Sequence, residues 1–178
     1  MRQTFFGPEG STAWMRHNLE SNLGDKYTHA EIDIRDRGAL MALFATYGTD
    51  ISLVIHTAAQ PSHDWAAREP HTDFTVNANG TLVLLEAARQ VGIEKFIQVS
   101  TDEVYGSAPE GVAFDEEAPL VASSPYSASK AGADLLALSY FKTFGLPVCI
   151  TRCTNNYGPY QYPEKLIPFF ILKATRNE

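Results

Sequence analysis

Three apolar stretches, each followed by a segment with helical periodicity, constrain the fold of this chain more than any other feature. They are ISLVIHTAA at 51–59, EKFIQVS at 94–100 and LPVCITRC at 146–153, and YTHAEID at 27–33 is a fourth candidate strand. Strands that are apolar along their whole length are typical of parallel sheets covered by helices on both faces. The sequence therefore predicts an α/β fold with a doubly wound parallel sheet.

Helices are predicted between these strands. The segment 36–48 has Asp36 as its N-cap, and the helix 124–145 has Ser124 as N-cap, Pro125 at its first position and Gly145 after its end. Further helices are expected from about 73 to 91 and over 165–174. In the helix 73–91, the spacing predicts one buried face, which comprises Phe74, Leu82, Leu85 and Ala88.

Length and composition restrict the class of protein. The 178 residues predict one domain over 1–178, and 44% hydrophobic residues can form a packed core. A net charge of −7 argues against a nucleic-acid partner. The apolar LIPFFIL is too short to span a membrane, and Pro8 and Glu9 interrupt any signal peptide, so a cytoplasmic protein is expected. Cys149 and Cys153 match no zinc pattern, so we predict free buried thiols and no metal site.

Two carboxylates follow the strand 94–100 directly. Thr101, Asp102 and Glu103 open the stretch STDEVYG, at the edge where a doubly wound sheet binds its ligands. Adjacent acids at that place are either the start of a helix or turn, or a pair of catalytic acids. The sequence around them has to distinguish the two interpretations.

Tyr126 and Lys130 are four residues apart at the start of a predicted helix, so their side chains share a face. An ammonium group beside a phenol favours the phenolate, which predicts a lowered pKa for Tyr126 and a role as a base. Taken alone, the pair is more often an exposed pair on a helix surface.

Three longer stretches carry a family resemblance: STDEVYG, SSPYSASKAGADLL and TRCTNNYGPYQYPEKLIP. In this order they resemble the extended short-chain dehydrogenase/reductase family, and within it the nucleoside-diphosphate-hexose 4,6-dehydratases, whose familiar member acts on dTDP-glucose. The resemblance is close over 94–172 and looser over 27–93. It implies a Rossmann-like fold, bound NAD, a nucleotide-sugar substrate and a homodimer formed through the helices near 73–91 and 124–145.

The resemblance also implies a role for each catalytic residue. Tyr126 would take the proton of the sugar 4-hydroxyl, with Lys130 tuning the phenol and Thr101 bonding the same hydroxyl. Glu103 would remove the C5 proton while Asp102 protonates the departing C6 hydroxyl, giving a 4-keto-6-deoxy sugar. Epimerases of the family lose no water and need no such acid pair, so Asp102 and Glu103 favour dehydration.

Binding residues follow from the same resemblance. For the cofactor it implies contacts with the acid and aliphatic residue after the strand 27–33, a small-residue turn, and groups around the tyrosine: Asp33, Ile34, Thr57, Ala58, Ala59, Ser100, Tyr126, Lys130 and Asn156. For the sugar nucleotide it implies Thr101, Asn155, Lys165 and Leu166. An alternative for Asp33 is that it simply ends a strand.

One stretch departs from the dehydratase pattern. AAQPSHDWAAREPHTDF, at 58–74, is similar to CDP-paratose and CDP-tyvelose 2-epimerases. A nucleotide-sugar epimerase is therefore the alternative function. His63 and His71 lie in this polar stretch, and we interpret them as surface residues rather than catalytic or metal-binding groups.

The glycine-rich phosphate loop of the family has only a poor counterpart, Gly7-x-x-Gly10-x-x-Ala13, in which Pro8 and Glu9 occupy the turn. We therefore expect the chain to lack the first βαβ unit and most of the C-terminal substrate lobe. An alternative of another class follows: a non-catalytic, truncated remnant.

Overall fold

The structure is a computed structural model that describes residues 8–163 and 165–178. The chain divides into two compact units, Ile32–Thr154, and Met1–Glu31 together with Asn155–Glu178. In chain order its helices and strands are α1 (Ala13–Leu23), α2 (Arg37–Tyr47), β1 (Leu53–His56), α3 (His63–Arg68), α4 (Pro70–Phe74), α5 (Gly80–Val91), β2 (Lys95–Thr101), α6 (Pro125–Phe144), β3 (Val148–Cys153) and α7 (Leu166–Thr175). The predicted single domain stays a prediction.

A parallel three-stranded sheet, in the order β1-β2-β3, organises the unit Ile32–Thr154. The register pairs His56 with Gln98 and Thr101 with Cys153, so all three strands end at one edge of the sheet. Helices α2, α5 and α6 share one hydrophobic cluster with Phe96 of β2. These elements confirm the predicted α/β class and its Rossmann-like parallel sheet.

The predicted helix ends are confirmed at α2 and α6. Asp36 Oδ1 accepts a hydrogen bond from Ala39 N at 3.0 Å. At α6, Ser124 and Ser127 form a reciprocal capping box, and Gly145 ends the helix in the left-handed conformation, with φ of 69°. These local devices place the start of α6, and with it Tyr126, next to the edge where the strands end.

One predicted strand is absent, and one predicted helix is present with an irregular turn. No strand forms at 27–33, because within the described residues only β1, β2 and β3 form a ladder and this stretch pairs with none of them. The predicted helix 73–91 contains a π-helical turn at Thr75–Asn79. Of the predicted buried face, Leu85 and Ala88 are buried as expected, whereas Phe74 and Leu82 are exposed.

The cysteine prediction is correct in one respect only. Cys149 and Cys153 form no disulfide, but Cys149 is exposed and Cys153 is half-buried, so neither is the buried thiol we expected. The Sγ of Cys153 contacts the backbone carbonyl oxygen of Ser100 in β2 at 3.8 Å. No helix among the described residues is long and apolar enough to cross a membrane.

Candidate active site

Tyr126 and Lys130 lie in the first two turns of α6, beside the end of β2. Lys130 is 5% exposed, and its Nζ donates to the carbonyl oxygen of Val99 at 2.7 Å. Tyr126 is half-buried, one turn earlier on the same helix. The predicted pairing on one helical face is therefore present, but the ammonium group is held by the backbone of β2.

The acid–base state of Tyr126 differs from our expectation. Its pKa is raised to about 12, because burial disfavours the phenolate and the carboxylates of Glu103 and Asp73 add repulsion. Burial in turn lowers the pKa of Lys130. The predicted lowering of the Tyr126 pKa is wrong for this structure, since desolvation and nearby carboxylates outweigh the ammonium group.

Thr101, Asp102 and Glu103 form the transition from β2 to a short 3-10 turn, Asp102–Tyr105. Thr101 is the N-cap: its Oγ1 accepts from Glu103 N at 3.3 Å and donates to Asp102 Oδ1 at 3.2 Å. Thr101, and not the acid pair, therefore caps the start of this turn. Both carboxylates are only partly buried, so they are available to a substrate at this edge.

His63, which the sequence analysis interpreted as a surface residue, is exposed as expected, but it lies beside two of the predicted site residues. Its Nε2 lies 2.6 Å from Glu103 Oε2, and its ring centroid is 4.7 Å from that of Tyr126. One signal could have located it: the segment after β1 begins at the same sheet edge as STDEVYG, because parallel strands end together. His71 is likewise exposed, on α4, as expected.

A buried polar network lies below Tyr126. Asn77 donates through Nδ2 to Asp73 Oδ1 at 3.1 Å and to Ser129 Oγ at 3.0 Å, and Ser129 Oγ donates to the carbonyl oxygen of Tyr126 at 2.8 Å. Gln60 Nε2 also donates to Asp73 Oδ1 at 2.9 Å. Burial raises the pKa of Asp73. The network ties the segment after β1 to the first turn of α6, and sequence patterns gave no sign of it.

The small-residue turn Thr57, Ala58 and Ala59 follows β1 at the same edge, and Thr57 and Ala58 are exposed. Ser100 is buried in β2 one residue before Thr101. These positions agree with the predicted cofactor contacts in location, and their roles stay predictions.

Asp33 and Ile34 lie in the loop before α2, far in sequence from the predicted catalytic residues. Asp33 forms a two-pronged ion pair with Arg35, with Nη2 to Oδ2 at 2.6 Å, and these hydrogen bonds lower the Asp33 pKa to about 2. Ile34 packs against Gly80, where an added Cβ would lie 2.5 Å from Ile34 Cδ1. Asp33 thus stays ionised as a possible acceptor, and α5 approaches closely only because residue 80 is glycine.

The remaining predicted residues belong to the other unit. Asn155, Asn156, Lys165 and Leu166 are all exposed, and Lys165 is the N-cap residue of α7. Asn156 accepts through its carbonyl oxygen from Gln161 Nε2 at 2.9 Å. Of the candidate phosphate loop, Gly7 lies outside the described residues, while Pro8–Gly10 form a 3-10 turn. Among the described residues, no group of three or more His, Cys, Asp and Glu side chains is arranged to hold a metal ion.

Comparison with known proteins gives one family. Residues 8–178 match the family model described as GDP-mannose 4,6 dehydratase. A dTDP-glucose 4,6-dehydratase of Streptomyces niveus is 55% identical over 125 residues, which are 70% of this chain and 37% of the relative.

Solved structures resemble the chain as well. A dTDP-glucose 4,6-dehydratase from Streptomyces venezuelae with NAD and TYD bound has a TM-score of 0.81 at 41% identity, covering 91% of this chain and 49% of that one. A UDP-glucose 4-epimerase from Thermotoga maritima with UDP-glucose has a TM-score of 0.80 at 30% identity, covering 89% and 52%. The chain therefore spans about half the length of these proteins.

Proposed function

The chain belongs to the family described as GDP-mannose 4,6 dehydratase, and from that premise we propose that it acts in the NAD-dependent 4,6-dehydration of a nucleoside-diphosphate hexose. The observation that carries this proposal is the acid pair Asp102 and Glu103 at the end of β2, with Glu103 linked to Tyr126 through His63. The first relative and the Streptomyces venezuelae structure are both dTDP-glucose 4,6-dehydratases, which supports dTDP-glucose as the first substrate to test.

The residues at this edge fit NAD. The ammonium group of Lys130 has three N–H donors and Val99 accepts from one, so the remaining donors would be available to a ribose hydroxyl of NAD. The exposed turn Thr57–Ala59 allows a dinucleotide to approach the backbone. The residues that would hold NAD are those predicted above: Asp33, Ile34, Thr57, Ala58, Ala59, Ser100, Tyr126, Lys130 and Asn156. When bound, NAD would accept a hydride from C4 and return one at C6, and its positive charge would favour the phenolate of Tyr126.

Each catalytic side chain then has one task. Tyr126 removes the proton of the 4-hydroxyl, which Thr101 holds by a hydrogen bond. Glu103 removes the C5 proton, made acidic by the C4 ketone, and Asp102 gives a proton to the C6 oxygen so that it leaves as water. One base and one acid suffice for this elimination, and Asp102 and Glu103 supply both from adjacent positions. Asn155, Lys165 and Leu166 would contact the sugar nucleotide.

A direct assay tests the proposal. The full-length form of the protein is incubated with NAD and dTDP-glucose, and in parallel with UDP-glucose, and the sugar nucleotides are analysed by mass spectrometry and NMR. We expect a 4-keto product that has lost one water. An isomer of unchanged mass would instead establish the epimerase, which the epimerase-like stretch 58–74 makes the second candidate. No product together with no NAD binding by calorimetry would favour the non-catalytic remnant.

Assembly and location are part of the same proposal. We infer a cytoplasmic homodimer, and exposed apolar residues on α5 and α6 support the association: Leu82, Leu135, Phe141 and Phe144. Side chains of this size gain about 1.5–3 kcal/mol each when fully buried, so a partner surface is favourable. Analytical ultracentrifugation of the purified protein tests the dimer, and a monomer at all concentrations would contradict it.

A further inference from the structure

Hydrogen bonds fix the backbone next to His63, although the sequence around it is that of a polar loop. Ser62 precedes α3 as its N-cap, and Ser62 Oγ accepts from Trp65 N at 3.3 Å. Ser62 N donates to Gln60 Oε1 at 2.6 Å, and the buried Gln60 is fastened through its own N–H to Asn77 Oδ1 at 2.8 Å. The backbone that carries His63 is thus connected to the buried network below Tyr126.

The imidazole contacts two residues that we place in the reaction. Nε2 of His63 lies 2.6 Å from Glu103 Oε2, and the ring packs on Tyr126 with an interplanar angle of 58°. We propose that His63 is a positioning residue that fixes the Glu103 carboxylate for removal of the C5 proton. This inference rests on the proposed function and deepens it.

The contact gives the two carboxylate oxygens of Glu103 different partners. Oε2 is occupied by its contact with His63, which leaves Oε1 for the substrate proton. Imidazole donates from Nε2 in its ε-protonated neutral form and in its cationic form, so the contact does not require a charged histidine. Misplacement of a reacting group by about 1 Å costs up to about 100-fold in rate, which sets the scale of the expected effect.

Stability is not the reason for the contact. The side chains of His63 and Glu103 are 49% and 39% exposed, and ion pairs at such exposure contribute little to the free energy of unfolding. His71, eight residues later and exposed on α4, has no side-chain hydrogen bond or ring contact in the part of the chain that the structure describes. It provides a matched control histidine from the same stretch of sequence.

The first test measures the contact without any reaction. Nitrogen-15 NMR of the histidine side chains is recorded for the unchanged protein and for Glu103→Ala, with His63→Ala and His71→Ala used for assignment. We expect the Nε2 signal of His63 to shift when Glu103 is removed and the His71 signals to stay in place. An unchanged His63 signal would overturn the proposal, whether or not the protein is active.

The second test separates positioning from folding. His63→Ala should lower kcat for water loss about 10- to 100-fold with KM within about twofold, and enzyme-bound NADH should accumulate because oxidation at C4 precedes the step that needs Glu103. His63→Gln retains an N–H donor and should recover most of the rate, while His71→Ala should match the unchanged protein. A His63→Ala protein with normal kcat would refute the proposal. If the unchanged protein releases no water, the dehydratase function fails, and the NMR test alone decides whether His63 holds Glu103.

Discussion

Lys130 Nζ donates to the carbonyl oxygen of Val99 at 2.7 Å, so the predicted active-site lysine is held by the backbone at the end of β2. The side chain reaches this position from the second turn of α6 and is almost fully buried. Burying an ammonium group is costly, and here it lowers the Lys130 pKa. A residue kept in such a place is better explained by function than by stability.

We therefore expect Lys130→Met to reduce function while leaving the stability of the fold nearly unchanged. The apolar chain avoids the desolvation of the ammonium group, so the free energy of unfolding should change by less than about 1 kcal/mol although a hydrogen bond is lost. NAD binding, measured by calorimetry, should weaken at least about tenfold. A large loss of stability with unchanged NAD affinity would assign Lys130 to the fold alone.

Glu103→Gln tests the assignment of the base. Glutamine occupies the same volume and can still contact His63, but it cannot take a proton from C5. Hydride transfer to NAD should persist, so NADH should accumulate on the enzyme while dehydrated product falls about 10²–10⁴-fold. Glu117→Gln, an exposed acid in the following loop, is the control and should behave as the unchanged protein. Normal product formation by Glu103→Gln would remove this residue from the mechanism.

The burial of His56 gives the stability of the fold a dependence on pH. It is 4% exposed, its Nε2 lies 2.9 Å from Thr81 Oγ1, and burial lowers its pKa from 6.5 to about 4. Between these values the unfolded chain binds more protons than the folded one, so stability falls as the pH falls. The contribution amounts to about 2 kcal/mol between pH 7 and pH 5. In urea unfolding at both pH values, His56→Gln should lose less stability on acidification than the unchanged protein; equal losses would contradict the assignment.

The pair Arg152 and Asp134 predicts a strongly non-additive result. Arg152 Nε donates to Asp134 Oδ2 at 2.8 Å, and the aspartate side chain is fully buried. Arg152→Met leaves a buried carboxyl without its partner and should reduce the free energy of unfolding by about 3–5 kcal/mol. The double replacement Arg152→Met with Asp134→Leu should cost clearly less in urea unfolding. If the two single changes simply add, the ion pair does not couple these positions.

Gly106 and Gly132 form a matched pair of glycine-to-alanine tests. Gly106 follows the 3-10 turn of the site with φ of +77°, and an added Cβ would collide with the carbonyl oxygen of Val121. Gly106→Ala should lower the melting temperature and the turnover together, with about 1–3 kcal/mol from the backbone conformation alone. Gly132 lies in α6 with open space around it, so Gly132→Ala should be neutral or stabilising by up to about 1 kcal/mol.

Local signals in the sequence predicted the elements that need no distant partner. Asp36 and the Ser124 box identify helix starts, Gly145 identifies a helix end, and continuous apolar runs identify β1, β2 and β3. The stretch 27–33 was also predicted to be a strand, yet it forms none in the structure because a strand also requires a neighbouring backbone to pair with. The exposure of Phe74 and Leu82 was missed for a related reason: burial depends on which side of the helix the rest of the unit covers.

The sequence by itself determined the fold class and the edge of the sheet at which Thr101, Glu103, Tyr126 and Lys130 meet, because parallel strands end together and capping residues act locally. Only the tertiary structure decided which groups touch. It brings His63 into contact with Glu103 and Lys130 into a hydrogen bond with the Val99 carbonyl oxygen. It also raises the pKa of Tyr126 instead of lowering it. Distances between residues far apart in sequence, and the desolvation that packing imposes on them, control these outcomes, and neither quantity is encoded in a local pattern.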